Sequence, residues 1–102
     1  MIKNIQFIGL NKLEDLEKDT FQTLTSKYYN KIKRIHKEIT SLTIHIKQHK
    51  KSHHVSRYSL HIKLVVPSKV FEVKKTEWGV TKLLHKSFTA LENELLHYYE
   101  IK

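Results

Sequence analysis

Residues 45–63, HIKQHKKSHHVSRYSLHIK, hold five histidines and five Lys/Arg with no acidic side chain. Imidazoles at this density admit metal ligation, proton transfer or donation to anionic oxygens. Ligation by His45, His49, His53, His54 and His61 finds no HExxH pattern, and five neighbouring cations oppose a divalent ion. No metal and no other cofactor is therefore expected. Catalysis lacks its parts as well: the chain has no cysteine, two glycines in all and no Gly-rich phosphate loop. Glu92 and Glu94 look like solvated positions of a closing helix, so neither an enzyme nor a small-molecule substrate is expected.

The cations offer a more specific reading once the net charge of +9 is divided along the chain. Residues 1–26 and residues 76–102 each carry three lysines against four acids. Residues 27–75 carry thirteen Lys/Arg against Glu38 and Glu72, so the whole excess lies in the middle. Solubility does not require such segregation, whereas a polyanion rewards it because each lysine on a phosphate releases condensed counterions. Eight histidines add a reserve that full protonation would bring to about +17.

The elements that must position these groups follow from periodicity. IKNIQFI, residues 2–8, reads as a strand with Ile5 and Phe7 inward, broken by Gly9. Asn11 with Glu14 resembles a capping box opening a helix whose apolar stripe is Leu13, Leu16, Thr20, Leu24, Tyr28, Ile32 and Ile35. Its acids come first and its bases last, which the helix macrodipole favours. From Thr40 the period becomes two. Leu42, Ile44 and Ile46, then Tyr58, Leu60, Ile62 and Leu64, define two strands, each with one buried face. Their connection, Lys50 to His54, lacks Gly and Pro, so a long polar loop is expected in place of a tight turn. VFEVKK, residues 70–75, is a further strand near an edge. Thr76 is expected to cap a closing helix with Gly79 in its first turn and the stripe Val80, Leu84, Phe88, Leu91, Leu95 and Tyr98 or Tyr99.

The order is β-α-β-β-β-α in one α+β domain spanning 1–102: a four-stranded sheet with both helices on one face and strand one parallel to strand two. The other face would bear Thr43, His45, Lys47, Arg57, Ser59, His61 and Lys63. The basic end of the first helix, this face and the hairpin are expected to gather Lys31, Lys33, Arg34, Lys37, Lys47, Lys50, Lys51, Arg57 and Lys63 over one region. Lys74 and Lys75 should lie nearby, with His49 and His61 as auxiliary donors. Tyr28, Tyr58, Phe71 and Phe88 occupy core phases, and Tyr29 is the aromatic that its helical phase leaves outward. The partner implied is structured RNA recognised by shape and charge. No run approaches the roughly 18 apolar residues of a membrane span, so a soluble cytoplasmic protein is expected.

The order of elements, the opening IQFIGLNKLEDLEKDTFQTLTSKYYNKIKRI and the closing WGVTKLLHKSFTALENELLHYY resemble the ribosome hibernation-promoting factor family, also called ribosome-associated inhibitors or sigma-54 modulation proteins. The likeness covers nearly the whole chain. It implies a fold like a double-stranded-RNA-binding domain, lodged in the small ribosomal subunit where mRNA and tRNA anticodon stems lie, blocking initiation and protecting idle ribosomes. It places the family's basic helix positions on Lys27, Lys31 and Arg34. Two departures accompany it: the second helix ends ENELLHYYEIK without the family's run of lysines, and no C-terminal domain that pairs ribosomes is expected, as in a short form.

Overall fold

The computed structural model describes residues 5–35, 38–52 and 55–100. Strand β1 (Ile5–Ile8) is followed by a 3-10 turn (Leu10–Lys12) and helix α1 (Asp15–Ile35). Strands β2 (Ser41–Ser52), β3 (Val55–Val66) and β4 (Lys69–Trp78) and helix α2 (Val80–Glu100) complete the chain. The fold is α+β, with the expected β-α-β-β-β-α order and sheet order β1-β2-β3-β4. β1 runs parallel to β2, as a connection through a helix requires, and the other pairs are antiparallel.

Alternation decides which side of the sheet is covered. Leu42, Ile44 and Ile46, then Tyr58, Leu60, Ile62 and Leu64, then Phe71 and Val73 are buried toward the helices. Against them pack Phe21, Tyr28, Tyr29 and Ile32 of α1 and Val80, Leu83, Leu84, Phe88, Leu91 and Leu95 of α2. Each such side chain contributes about 1.5–3 kcal/mol on burial, so this single core holds both layers together.

Gly9 makes the turn out of β1. Its φ of 91° is left-handed, and a Cβ there would stand 2.2 Å from the Ile46 carbonyl oxygen. The 3-10 turn consumes Asn11, so the expected cap moves one turn along. The Glu14 carbonyl accepts from the Lys18 N–H (2.9 Å), and the Glu14 N–H donates to Glu17 Oε1 (3.2 Å). Leu16, assigned to the stripe, is 78% exposed. Tyr29, expected outward, is buried. The reason is that α1 has two neighbours, the sheet beneath and α2 beside it, so its buried arc is wide enough to take both Tyr28 and Tyr29.

Two further expectations are corrected. Pairing of β2 with β3 continues to Ser52 and Val55, so Lys50 and Lys51 belong to a strand, and only residues 53–54 separate the paired ends. A register shift between Gln48 and Lys50 leaves His49 as the extra residue of a bulge. Likewise β4 runs through Thr76 to Trp78 because β3 offers partners as far as Arg57. Continued ladder bonding outweighs a Thr76 cap, and α2 begins only after Gly79, whose φ is 86°.

Candidate nucleic-acid interface

The face without helices is assembled row by row from cross-strand partners. One row sets Ile8, His45, His61 and Lys74 side by side; the next sets Gln6, Thr43, Lys63 and Glu72. Toward the hairpin follow Lys47, Ser59 and Thr76, then Arg57 beside Trp78. His45 and His61 are therefore direct cross-strand partners. Lys47, Arg57, Lys63 and Lys74 are exposed on this face, and Glu72 is its one carboxylate among the described residues.

Hydrogen bonds order the centre. His61 Nε2 lies 2.8 Å from Glu72 Oε1, so the lone carboxylate is turned to an imidazole. His49 Nε2 bonds Ser59 Oγ, which is 3.1 Å from Thr76 Oγ1. The bulge explains His49: the extra residue brings its ring over Ser59. A serine touching an imidazole has the contact of a nucleophile and a base. Ser59 sits within the β3 ladder, however, with backbone donors committed to neighbouring strands, and so lacks an oxyanion site. Among the described residues no three His, Cys, Asp or Glu side chains converge to hold a metal. What remains is an open concavity of about 500 Å³ whose walls include His45, Lys47, His49, His61, Lys74 and Thr76. Such a surface offers anionic oxygens several N–H and O–H donors.

The expectation of one continuous basic region is overturned. Lys27, Lys31, Lys33 and Arg34 are exposed on α1, in the helical layer across the sheet from the open face. The Tyr58 hydroxyl donates to Glu17 Oε1 (3.1 Å) and Oε2 (3.0 Å), which fixes the start of α1 at the hairpin end of the sheet. The basic end of α1 consequently points toward the β3–β4 turn, away from Lys47 and Arg57. Lys31 is also engaged: its Nζ is 3.8 Å from Glu92 Oε2 and 5.5 Å from the centre of the Tyr28 ring. Lys75 is in register with buried Leu60, so its pleat belongs to the helix-bearing side, although the residue still borders the concavity beside Lys74. Lys37, like His53 and His54, lies outside the described residues, and for Lys50 and Lys51 the description covers the backbone.

Beneath α1, Tyr28 stacks on Phe88 with ring centres 4.9 Å apart, and its hydroxyl shares a hydrogen bond with His85 Nδ1. Burial, then the Glu92 charge, raises the Tyr28 pKa above that of a free phenol and keeps the group neutral. With Lys27, Lys31 and His85 it lines a second, smaller hollow of about 240 Å³.

Trp78 and the His49–Ser59 bond complete the open face without a signal in the sequence, and Thr76, expected as a helix cap, joins Glu72 there. Beyond Val73 the inward phase carries Lys75 and Glu77 in place of apolar residues, so alternation gives no sign that β4 continues to Trp78. No described helix is long and apolar enough to cross a membrane. Compared with known proteins, the chain matches no family model and no curated sequence.

Proposed function

We propose that this is a non-enzymatic, cytoplasmic RNA-binding protein that grips the phosphate backbone of structured RNA with its open sheet face. The observation that carries the reading is the composition of that face among the described residues: Lys47, Arg57, Lys63 and Lys74 beside His45, His49 and His61, against the single carboxylate of Glu72. Phosphates reward this arrangement through counterion release, and the hydrogen-bonded sheet fixes the backbone from which the donors project, so no backbone ordering is needed at binding. The RNA we infer is that of the small ribosomal subunit, because the β-α-β-β-β-α order implied by the likeness to hibernation factors is the order folded here. The action is occupancy. A domain seated in the channel excludes mRNA and tRNA, and no chemical step is needed.

The test is co-sedimentation of the purified chain with small subunits across a salt series. Four phosphate contacts give a log–log slope of about −3 to −4, shallower than the −4 to −5 of six contacts in one combined patch. A flat salt response, or equal binding to any RNA duplex with no preference for the subunit, removes the ribosomal reading. Capture of an acidic protein that survives nuclease treatment would point instead to a protein partner.

A further inference from the structure

The open face ends in an aromatic residue that phosphate binding does not need. Trp78 is 42% exposed and Tyr98 of α2 is 36% exposed, whereas Phe21, Tyr28, Tyr29, Tyr58, Phe71 and Phe88 are buried in the core. An exposed aromatic is ordinary, but Trp78 is the one that stands on the open sheet face among the described residues. Strand phase puts Trp78 on the helix-free side, in register with exposed Arg57 and two residues from Thr76 on the wall of the concavity.

We propose that Trp78 and Arg57 form a base-stacking subsite, and that a single-stranded segment of RNA crosses the face with its phosphates on Lys47 and Lys74. The inference rests on the RNA-binding reading above and specifies the RNA's form. Paired bases are stacked on one another and cannot lie on an indole, so an aromatic platform at a basic row selects unpaired nucleotides. The rows Arg57–Trp78, Lys47–Ser59–Thr76 and His45–His61–Lys74 succeed one another every two residues, about 7 Å of strand, a step comparable with one extended nucleotide. The concavity, about 500 Å³ with Lys47, Lys74 and Thr76 on its walls, is large enough for a sugar-phosphate unit in the rows next to the platform.

The platform is held from behind. Gly79 follows it in the left-handed region, and the Trp78 N–H donates to Glu77 Oε1 (3.2 Å). Glu77 Oε2 accepts in turn from Lys86 Nζ (2.8 Å), tying the end of β4 to α2. The indole thus projects from fixed backbone, which lowers the entropic cost of capturing a base. A protein partner fits less well, because protein interfaces are depleted of charge at their centre, and the centre here is lysine and imidazole.

Trp78 is the chain's single tryptophan, so its fluorescence reports this site alone. The whole chain is titrated with a mixed-sequence RNA octamer and with an abasic ribose-phosphate octamer of equal charge. The first should quench the indole strongly and the second should bind without comparable quenching. Trp78→Leu should weaken binding of a labelled octamer about tenfold while leaving abasic binding unchanged, and Trp78→Phe should restore most of the loss, as expected for one stacked base. If the octamer binds with no change in indole emission, or Trp78→Leu weakens both ligands equally, the stacking subsite is wrong and RNA binding by charge stands. If neither octamer nor small ribosomal subunits bind, the underlying RNA reading falls and the subsite with it.

Discussion

Glu17 joins local and long-range structure through one carboxylate. It accepts the Glu14 N–H at the start of α1 and the hydroxyl of Tyr58 from β3, so the helix entrance and the base of the hairpin are fastened together. In the sequence it is simply one of several acids in a first turn. Tyr58→Phe keeps the buried ring and removes the donor. The expected loss is about 1–2 kcal/mol, read as a lower urea midpoint at constant m-value. The two glycines differ more. Both have left-handed φ, but a Cβ at Gly9 would collide with the Ile46 carbonyl, whereas at Gly79 it meets nothing within 4 Å. Gly9→Ala should therefore cost about 3 kcal/mol or more and Gly79→Ala about 1–2 kcal/mol, a ranking that parallel urea melts would check. Sequence reads Gly9 as a break and Gly79 as part of a helix's first turn, and only the contact with β2 separates an indispensable glycine from a convenient one.

Among the elements, the junction of β4 and α2 depends on Glu77, which bonds Lys86 and lies 3.9 Å from Lys82. The Lys86 hydrogen bond, then the Trp78 N–H, holds its pKa below the usual glutamate value. A lowered folded-state pKa means that the stabilisation is present above the unfolded pKa and is lost as pH falls through the folded one. Glu77→Gln should accordingly reduce stability at neutral pH, and the gap from wild type should close on acidification; unfolding curves from about pH 7 to about pH 3 would measure it. The buried faces of the helices carry a different imperfection. Thr25 Oγ1 on α1 and Ser87 Oγ on α2 are buried with no hydrogen-bond partner. Thr25→Val and Ser87→Ala remove those polar groups at nearly constant volume, so each should be neutral or stabilising by up to about 1 kcal/mol in thermal melts. Periodicity delivered both stripes approximately. It misplaced Tyr29 because a stripe drawn for one neighbour is narrower than the arc buried by two, and it misplaced Leu16, which sits in the first turn of α1 and is exposed there.

At the scale of the whole molecule the sheet separates two basic surfaces, and their contributions can be measured independently. Lys63→Glu with Lys74→Glu alters the open face, while Lys33→Glu with Arg34→Glu makes the same charge change on α1. The first pair should weaken small-subunit binding at least tenfold and flatten the salt slope by about 2; the second should leave the slope nearly intact. The reverse ranking would transfer the RNA contact to the helical layer, onto the exposed Lys27, Lys33 and Arg34 of α1.

The sequence by itself determined the order of elements and the inward face of every strand, because alternation with period two assigns each side chain of a half-buried sheet before any partner is known. It also determined that positive charge is concentrated between residues 27 and 75. Only the tertiary structure decided how that charge is shared out. The connection through α1 lays Lys27 to Arg34 on one side of the sheet, and the pleat turns Lys47, Arg57, Lys63 and Lys74 to the other. Proximity along a chain is one-dimensional, whereas sidedness is set by the layer against which each element buries its apolar stripe.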